Sequence, residues 1–300
     1  NDTDDVIWTQ HDRWKSSYND YCLKVGDEIG LIYGFIYNGI YGFDEFDFDQ
    51  NQNFLAIPKE GTVINKVSGT SNSGDPTLPG KVKFKDISGP DGVPDGIIDE
   101  HDRTVIGNTN PKFQGGFGFS GQWKNFDFSV NFNYMYDFDV NNATAYQLSS
   151  SEGNNKKFHN VLAKFSENRW HYYDPADGDN YYKRYWVDNS VELYKAANEG
   201  VTQWNPADVT NKITHSYFIE DGSFLRCQDL TLGYSLPQNL IRRAGLSRLR
   251  LYMSATNLFI ITNYSGYDPE VDVQTDLARG MDYNRYPRSR SFVFGVNLTF

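Results

Sequence analysis

The last ten residues alternate strictly. Positions 292, 294, 296, 298 and 300 are Phe, Phe, Val, Leu and Phe, while 291, 293, 295, 297 and 299 are Ser, Val, Gly, Asn and Thr. Successive side chains of a β-strand face opposite sides of the sheet. The segment therefore has one wholly apolar face and one face of small, mostly polar residues. Four further stretches repeat the pattern. Phe113, Phe117, Phe119 and Trp123 share a parity opposed by Gln114, Gly116, Gly118, Ser120 and Gln122; Lys124-Asn125 then makes a turn. Phe126, Phe128, Val130, Phe132, Tyr134 and Tyr136 alternate with Asp127, Ser129, Asn131 and Asn133. Leu230, Leu232 and Tyr234 oppose Asp229, Thr231 and Gly233, and Leu249, Leu251, Met253 and Ala255 oppose Arg250, Tyr252, Ser254 and Thr256. Cys22 to Tyr37 reads as a sixth strand, interrupted at Gly26-Asp27-Glu28. The fold class is all-β and antiparallel.

Such faces suit a soluble sandwich, with one side on a core, or a transmembrane barrel, with one side on lipid. The connections favour the barrel. With Phe300 on the inner side, turns 124–125 and 236–247 also fall inside, and the long links 38–111, 138–217 and 262–290 fall outside. Outer-membrane barrels have short turns on one side and long extracellular loops on the other; a sandwich has no reason to. The smallest such barrels have about eight strands, so six strands predict the C-terminal part of a larger barrel. Phe292, Phe294, Val296, Leu298 and Phe300 are then expected to face lipid, with Asp127, Asn131 and Asn133 facing the lumen.

Composition excludes other classes. No apolar run approaches the roughly 18 residues of a membrane helix, and mean hydropathy is −0.62. Net charge is −11, which argues against nucleic-acid binding, because phosphate contacts need a basic surface. Aromatic residues reach 16%, as interfacial girdles would require. Cys22 and Cys227 stand in no metal or redox spacing. The five histidines, at 11, 101, 159, 171 and 215, form no HxxxH pair and no nucleophile motif accompanies them, so no enzyme is expected. No signal peptide opens the chain, and Asn1 replaces an initiator Met; a mature form or a piece of a longer protein is expected.

Two loop features carry candidate chemistry. Numbered from Asp91, acids fall at positions 1, 5, 9 and 12 (Asp91, Asp95, Asp99 and Asp102), with Gly96 at 6 and the Ile97 carbonyl at 7. That is the spacing of a calcium loop. Val93 replaces the usual position-3 ligand, Asp replaces Glu at 12, and Asp86 is a candidate to fill the gap. An Asp/Gly/Pro turn that binds nothing has the same composition. The second feature lies in 138–217, where a helix is predicted over Lys156–Ser166. Trp170, Tyr172, Tyr173, Tyr182 and Trp186 follow, as a surface for a partner or substrate or as packing of the loop on itself. A loop so long is usually functional.

Specific stretches then resemble one family. These are Tyr21-Cys22-Leu23-Lys24-Val25-Gly26 with Ile29-Gly30 and Tyr33-Gly34, Lys83-Phe84-Lys85-Asp86, Asp95-Gly96-Ile97-Ile98-Asp99 with Asp102-Arg103, and Ile106-Gly107-Asn108 before Pro111-Lys112-Phe113. They continue with Glu220 to Arg226, Leu230 to Tyr234, Asn257-Leu258-Phe259, Tyr264 to Glu270, and Tyr286-Pro287. In matching order they resemble the SusC/RagA-like TonB-dependent transporters. The resemblance implies a transmembrane barrel of roughly 22 strands with an N-terminal plug outside this chain, in the bacterial outer membrane. It implies import of oligosaccharides or peptides, driven by a TonB complex that contacts the missing N-terminal region. A SusD-like lipoprotein would act as a lid, in a dimer of transporter–lipoprotein units. The calcium-like acids would then stiffen a lid-facing loop, and Phe300 would be the C-terminal assembly signal. Two other readings stand beside this one: a secreted carbohydrate-binding β-sandwich with structural calcium, and a passive porin.

Overall fold

The computed structural model describes residues 6–10, 18–49, 55–67, 76–150, 160–172, 191–206, 213–271 and 277–300. The chain divides into two compact units, each gathered from separate stretches. One comprises 108–140, 220–272 and 284–300; the other comprises 1–107, 141–219 and 273–283.

The first unit is a five-stranded antiparallel meander. Its strands are β1 (Phe113–Trp123), β2 (Phe126–Tyr136), β3 (Phe224–Ser235), β4 (Arg248–Thr262) and β5 (Ser291–Thr299), each paired with its neighbour in sequence. They contain 11, 11, 12, 15 and 9 residues, and about 9–11 tilted residues span a bilayer. Registers such as Phe117↔Phe132, Phe128↔Leu232 and Met253↔Phe294 align the apolar parities into one continuous face. Stacked Phe117–Phe132, with ring centroids 5.1 Å apart, and Phe126–Tyr234 at 4.6 Å tie neighbouring strands across that face, as cross-strand aromatic pairs do. The face is bare: Phe119 is 60% exposed, Trp123 68% and Phe294 76%. So much contiguous aromatic surface is not what a soluble monomer presents to water; it suits lipid. Phe300, beyond β5, is also exposed. The unit is a segment of wall with two unpaired edges among the described residues.

One residue breaks the alternation. In β3, Asn131 pairs with Asp229 but Phe132 with Cys227, so Gln228 is an extra residue against β2, and the pairing with β4 shifts at the same place. A bulge reverses the facing of everything beyond it. Leu225 and Cys227 therefore join the apolar face, while Phe224 and Arg226 turn to the polar one. Phe224 is buried there with Phe138, Val140, Tyr264 and Val271.

The second unit holds most of the long links and a different kind of core. A four-stranded sheet is made by Val6–Thr9, Tyr21–Lys24, Leu31–Gly34 and Thr104–Asn108. The expected strand over Cys22–Tyr37 is thus two short strands of this sheet, and the count of wall strands falls from six to five. The reason is that the apolar face of this run closes a core rather than meeting lipid. Tyr21, Ile32 and Phe35 are enclosed with Phe84, Ile98, Phe165, Trp204 and Phe218 in one cluster, so this run carries no lipid face. Buried polar groups close the core: Tyr21 Oη donates to the Arg279 carbonyl at 2.7 Å, and Thr214 Oγ1 to Asp20 at 2.7 Å. His215 stacks near Tyr37, Phe84, Trp204 and Phe218, and burial pushes its imidazole down to about 3. Of the predicted helix over Lys156–Ser166, Ala163–Ser166 is helical; 156–159 lie outside the described residues. Both cysteines are free and buried.

Candidate functional site

The polar face of the wall carries the predicted lumen residues. Asp127, Asn131 and Asn133 lie on one parity of β2, beside Gly233, Asp229 and Arg226 of β3. Asp127 is not a free carboxylate. Arg250 of β4 grips it with two bonds, Nε to Oδ1 at 2.9 Å and Nη2 to Oδ2 at 2.5 Å. The bridge crosses β3 over Gly233, where a Cβ would lie 2.4 Å from Arg250 Nη2 and 2.5 Å from both Asp127 oxygens. That explains the glycine of the Leu232-Gly233-Tyr234 motif. Thr231 and Ser254 hydroxyls pair at 2.9 Å and Thr256 Oγ1 donates to Asp229 at 3.3 Å, giving a hydrogen-bonded row suited to a solvated wall.

Sequence reasoning missed the strongest charge cluster. Strict alternation from Leu230 and Leu232 puts Arg226 on the apolar face, and only the bulge reverses it. Arg226, 3% exposed, donates from Nη2 to Asp268 Oδ1 at 2.6 Å and lies 3.4 Å from Glu270 Oε2. Arg288 completes the cluster, at 2.8 Å from Glu270 and 3.8 Å from Asp268. Two of the resembling stretches, Glu220 to Arg226 and Tyr264 to Glu270, are therefore two halves of one ion cluster that fastens the 263–290 link to the wall. Their joint presence was the signal available in the sequence.

The acid ladder is hydrogen-bonded largely to the amides of its own turn. Asp102, fully buried, accepts amides of Ile87 and Ser88 on Oδ1 at 2.7 and 3.1 Å and of Asp99 on Oδ2 at 2.8 Å. Asp95 accepts the Ile97 amide at 2.9 Å and Asp86 the Gly96 amide at 2.7 Å. Asp99 accepts the amide of His101, which holds its carboxyl below the ordinary range. Ile97 pairs with Ile64 in a short parallel ladder, and Asp91 is exposed. Calcium takes about 6–8 oxygens at roughly 2.3–2.6 Å. Among the described residues no three acids, histidines or cysteines are placed to hold a metal. Asp91, Asp95, Asp99 and Asp102, expected with the Ile97 carbonyl to hold an ion, are thus not gathered into such a group in this arrangement. The carboxylates of Asp86, Asp95, Asp99 and Asp102 accept backbone amides that the turn would otherwise leave unpaired. Arg103 extends the scaffold, its guanidinium 5.0 Å and 5.2 Å from the rings of Trp8 and Tyr18.

The aromatic link divides. Tyr173, Tyr182 and Trp186 lie outside the described residues. Trp170 is buried, which corrects its expected place on a partner surface. Its ring lies over Gly80, its Nε1 donates to Tyr194 Oη at 2.8 Å, and Phe43 packs at 4.9 Å. Gly80 permits the approach, with φ of +82° and its missing Cβ 2.3 Å from the indole. Tyr172 is half-buried under Lys81. The edge of Trp170 nevertheless reaches a cleft of about 810 Å³, walled by Phe43, Phe46 and Phe48 and by the helix Val191–Ala197. Lys59, Lys195, Asp44, Asp47, Glu192 and Glu199 stand round it. The acidic-aromatic run 43–49 is thus one wall of an open, mixed-polarity cleft, large enough for a small ligand.

No family model matches the sequence. TonB-dependent receptor P3 of Formosa agariphila is 30% identical over 284 residues, which cover 93% of this chain and 23% of that protein. TonB-dependent receptor P39 of the same organism is 27% identical over 300 residues. TonB-dependent receptor SusC of Bacteroides thetaiotaomicron is 44% identical over 86 residues, or 28% of this chain. The RagAB peptide importer in its open-open state superposes with a TM-score of 0.57 at 20% identity, over 97% of this chain and 25% of that one. Its closed-closed state gives 0.56 at 18% identity; these are likenesses of fold. The chain spans about a quarter of the length of the curated receptors P3 and P39. The meander's lipid-compatible face and the receptor relatives agree: this chain is a segment of a bacterial outer-membrane protein of the SusC/RagA-like TonB-dependent transporter family.

Proposed function

We propose that the chain supplies wall strands and outward links of a TonB-dependent importer of oligosaccharides or peptides, closed by a SusD-like lipoprotein. The observation that carries this reading is the five-stranded face of bare aromatics whose long links leave from one end. A soluble sandwich would need a second sheet over that face, and its residues are exposed instead. The relatives bear names of receptors and importers, which supports transport over catalysis. RagAB is a peptide importer; for this chain, the mixed-polarity cleft at 43–48 and 191–201 is the surface assigned to substrate or lid. The full-length gene product, tagged and purified from outer membranes, should bring down a SusD-like lipoprotein, in a dimer of such pairs. A strain lacking it should lose growth on one class of oligosaccharide or peptide. Growth unchanged on both classes, or a receptor that purifies alone, would refute the reading.

A further inference from the structure

The short-turn end of the wall carries charge that neither face of the meander uses. Turn 124–125 and link 236–247 lie together, since the Ser235 amide donates to the Asn125 carbonyl and the Leu236 amide to Leu249, both at 2.8 Å. From 122 to 127 and from 235 to 250 there are five basic side chains and one carboxylate, on a chain of net charge −11. Arg250 takes that carboxylate, Asp127. Lys124, Arg242, Arg243 and Arg248 are exposed, and none forms a salt bridge with a described carboxylate. Lys124 does not point into empty space. Its ammonium lies 4.6 Å from the ring centre of Trp123, a residue of the apolar face. In the link, Ile241 is buried and holds the turn, while Leu240 is 64% exposed beside Arg242 and Arg243. Aromatic and aliphatic side chains directed at acyl chains, bordered by free cations, are the arrangement that a phospholipid headgroup and its first methylenes complement.

We propose that this end binds the phosphate of anionic phospholipids in the adjoining leaflet, with Lys124, Arg242 and Arg243 as ligands and Trp123 and Leu240 against the acyl chains. The inference rests on the membrane reading of the wall. A free phosphate would find the cations but gain nothing from Trp123 and Leu240, which is why the lipid is favoured. The test uses the full-length transporter in detergent, with phosphatidylglycerol, phosphatidylcholine and inorganic phosphate as probes and lipid retention read by native mass spectrometry. Wild type should retain phosphatidylglycerol over phosphatidylcholine. At roughly fivefold per cation near a membrane surface, K124Q/R242Q/R243Q should lose on the order of a hundredfold of that preference. K112Q, which removes a cation at the opposite end of the wall, should keep it. Equal retention of both lipids by wild type, or an unchanged preference in the triple variant, overturns the proposal. Displacement of phosphatidylglycerol by inorganic phosphate at equal concentration overturns the lipid assignment. A wild-type protein that never enters bilayers overturns the membrane reading with it, and heat-modifiable migration identifies that case separately.

Discussion

Arg226→Met isolates the ion cluster that the bulge in β3 creates. The Arg226 and Asp268 side chains are 4% and 9% exposed, so the pair is screened little by water. Removing one partner of a buried pair costs about 3–5 kcal/mol, chiefly because the other charge is left uncompensated. Arg288 stays 2.8 Å from Glu270 and 3.8 Å from Asp268 and relieves part of that loss, which sets the expectation at about 3 kcal/mol. The loss should be local to the tether of 263–290. Hydrogen exchange of the full-length protein should show peptides covering 264–271 losing on the order of a hundredfold in protection, at 1.4 kcal/mol per tenfold. Met is chosen because it keeps the length of the aliphatic stem. Arg226→Met with Asp268→Asn should recover about 2 kcal/mol of coupling relative to the sum of the single changes. A loss in protection below about threefold, or strict additivity of the two substitutions, would refute the assignment of Arg226 as the tether.

Other consequences follow from the second unit. His215 is held neutral with its titration pushed down to about 3, against about 6.5 when unfolded. The unfolded chain therefore binds the extra proton between those values, and stability falls as pH drops through that window by up to about 1.4 kcal/mol per pH unit, or about 2 kcal/mol at pH 5 relative to pH 7. Thermal shifts should carry that slope in wild type and lose it in His215→Gln; equal slopes would count against neutral burial. Gly80→Ala meets the Trp170 ring at 2.3 Å with φ at +82° and should cost about 1–3 kcal/mol, read as exposure of the Trp170 indole to a fluorescence quencher; an unquenched variant would mean the ring packs elsewhere. Asp102→Asn keeps the side chain's shape but weakens the three amides it accepts. It should loosen 86–102 in hydrogen exchange equally with calcium or with chelator, whereas a calcium-dependent difference would restore the ion to the acid ladder.

Much of the wall was legible because period-two alternation is a direct image of a sheet with two different solvents. The facing of Phe128, Leu232, Met253 and Phe294 follows from parity alone, and the bonds of register fall where the alternation aligns them. Alternation cannot announce its own interruption. No glycine or proline at Gln228 marks the bulge, so alternation alone does not show which face Arg226 takes. Cys22–Tyr37 misled for a different reason: an apolar run looks like strand whether its buried face meets lipid or a globular core, and here it is the core. The acid spacing at 91–102 was real, but spacing fixes only sequence positions. Whether carboxylates converge on an ion or turn back to amides depends on backbone geometry, which spacing does not carry. Trp170 was buried by Gly80, a residue 90 positions away, and no local pattern links the two.

The central claim is that the alternating face meets lipid. Single cysteines placed from 291 to 299 in the full-length protein, with Cys22 and Cys227 replaced by serine, can carry spin labels in bilayers. Collision with oxygen, which concentrates in the acyl region, should peak at 292, 294, 296 and 298. Collision with a water-soluble nickel complex should peak at the positions between them. Labels at Phe292, Phe294, Val296 and Leu298 that collide freely with the nickel complex, or a profile with no two-residue period, would contradict the account.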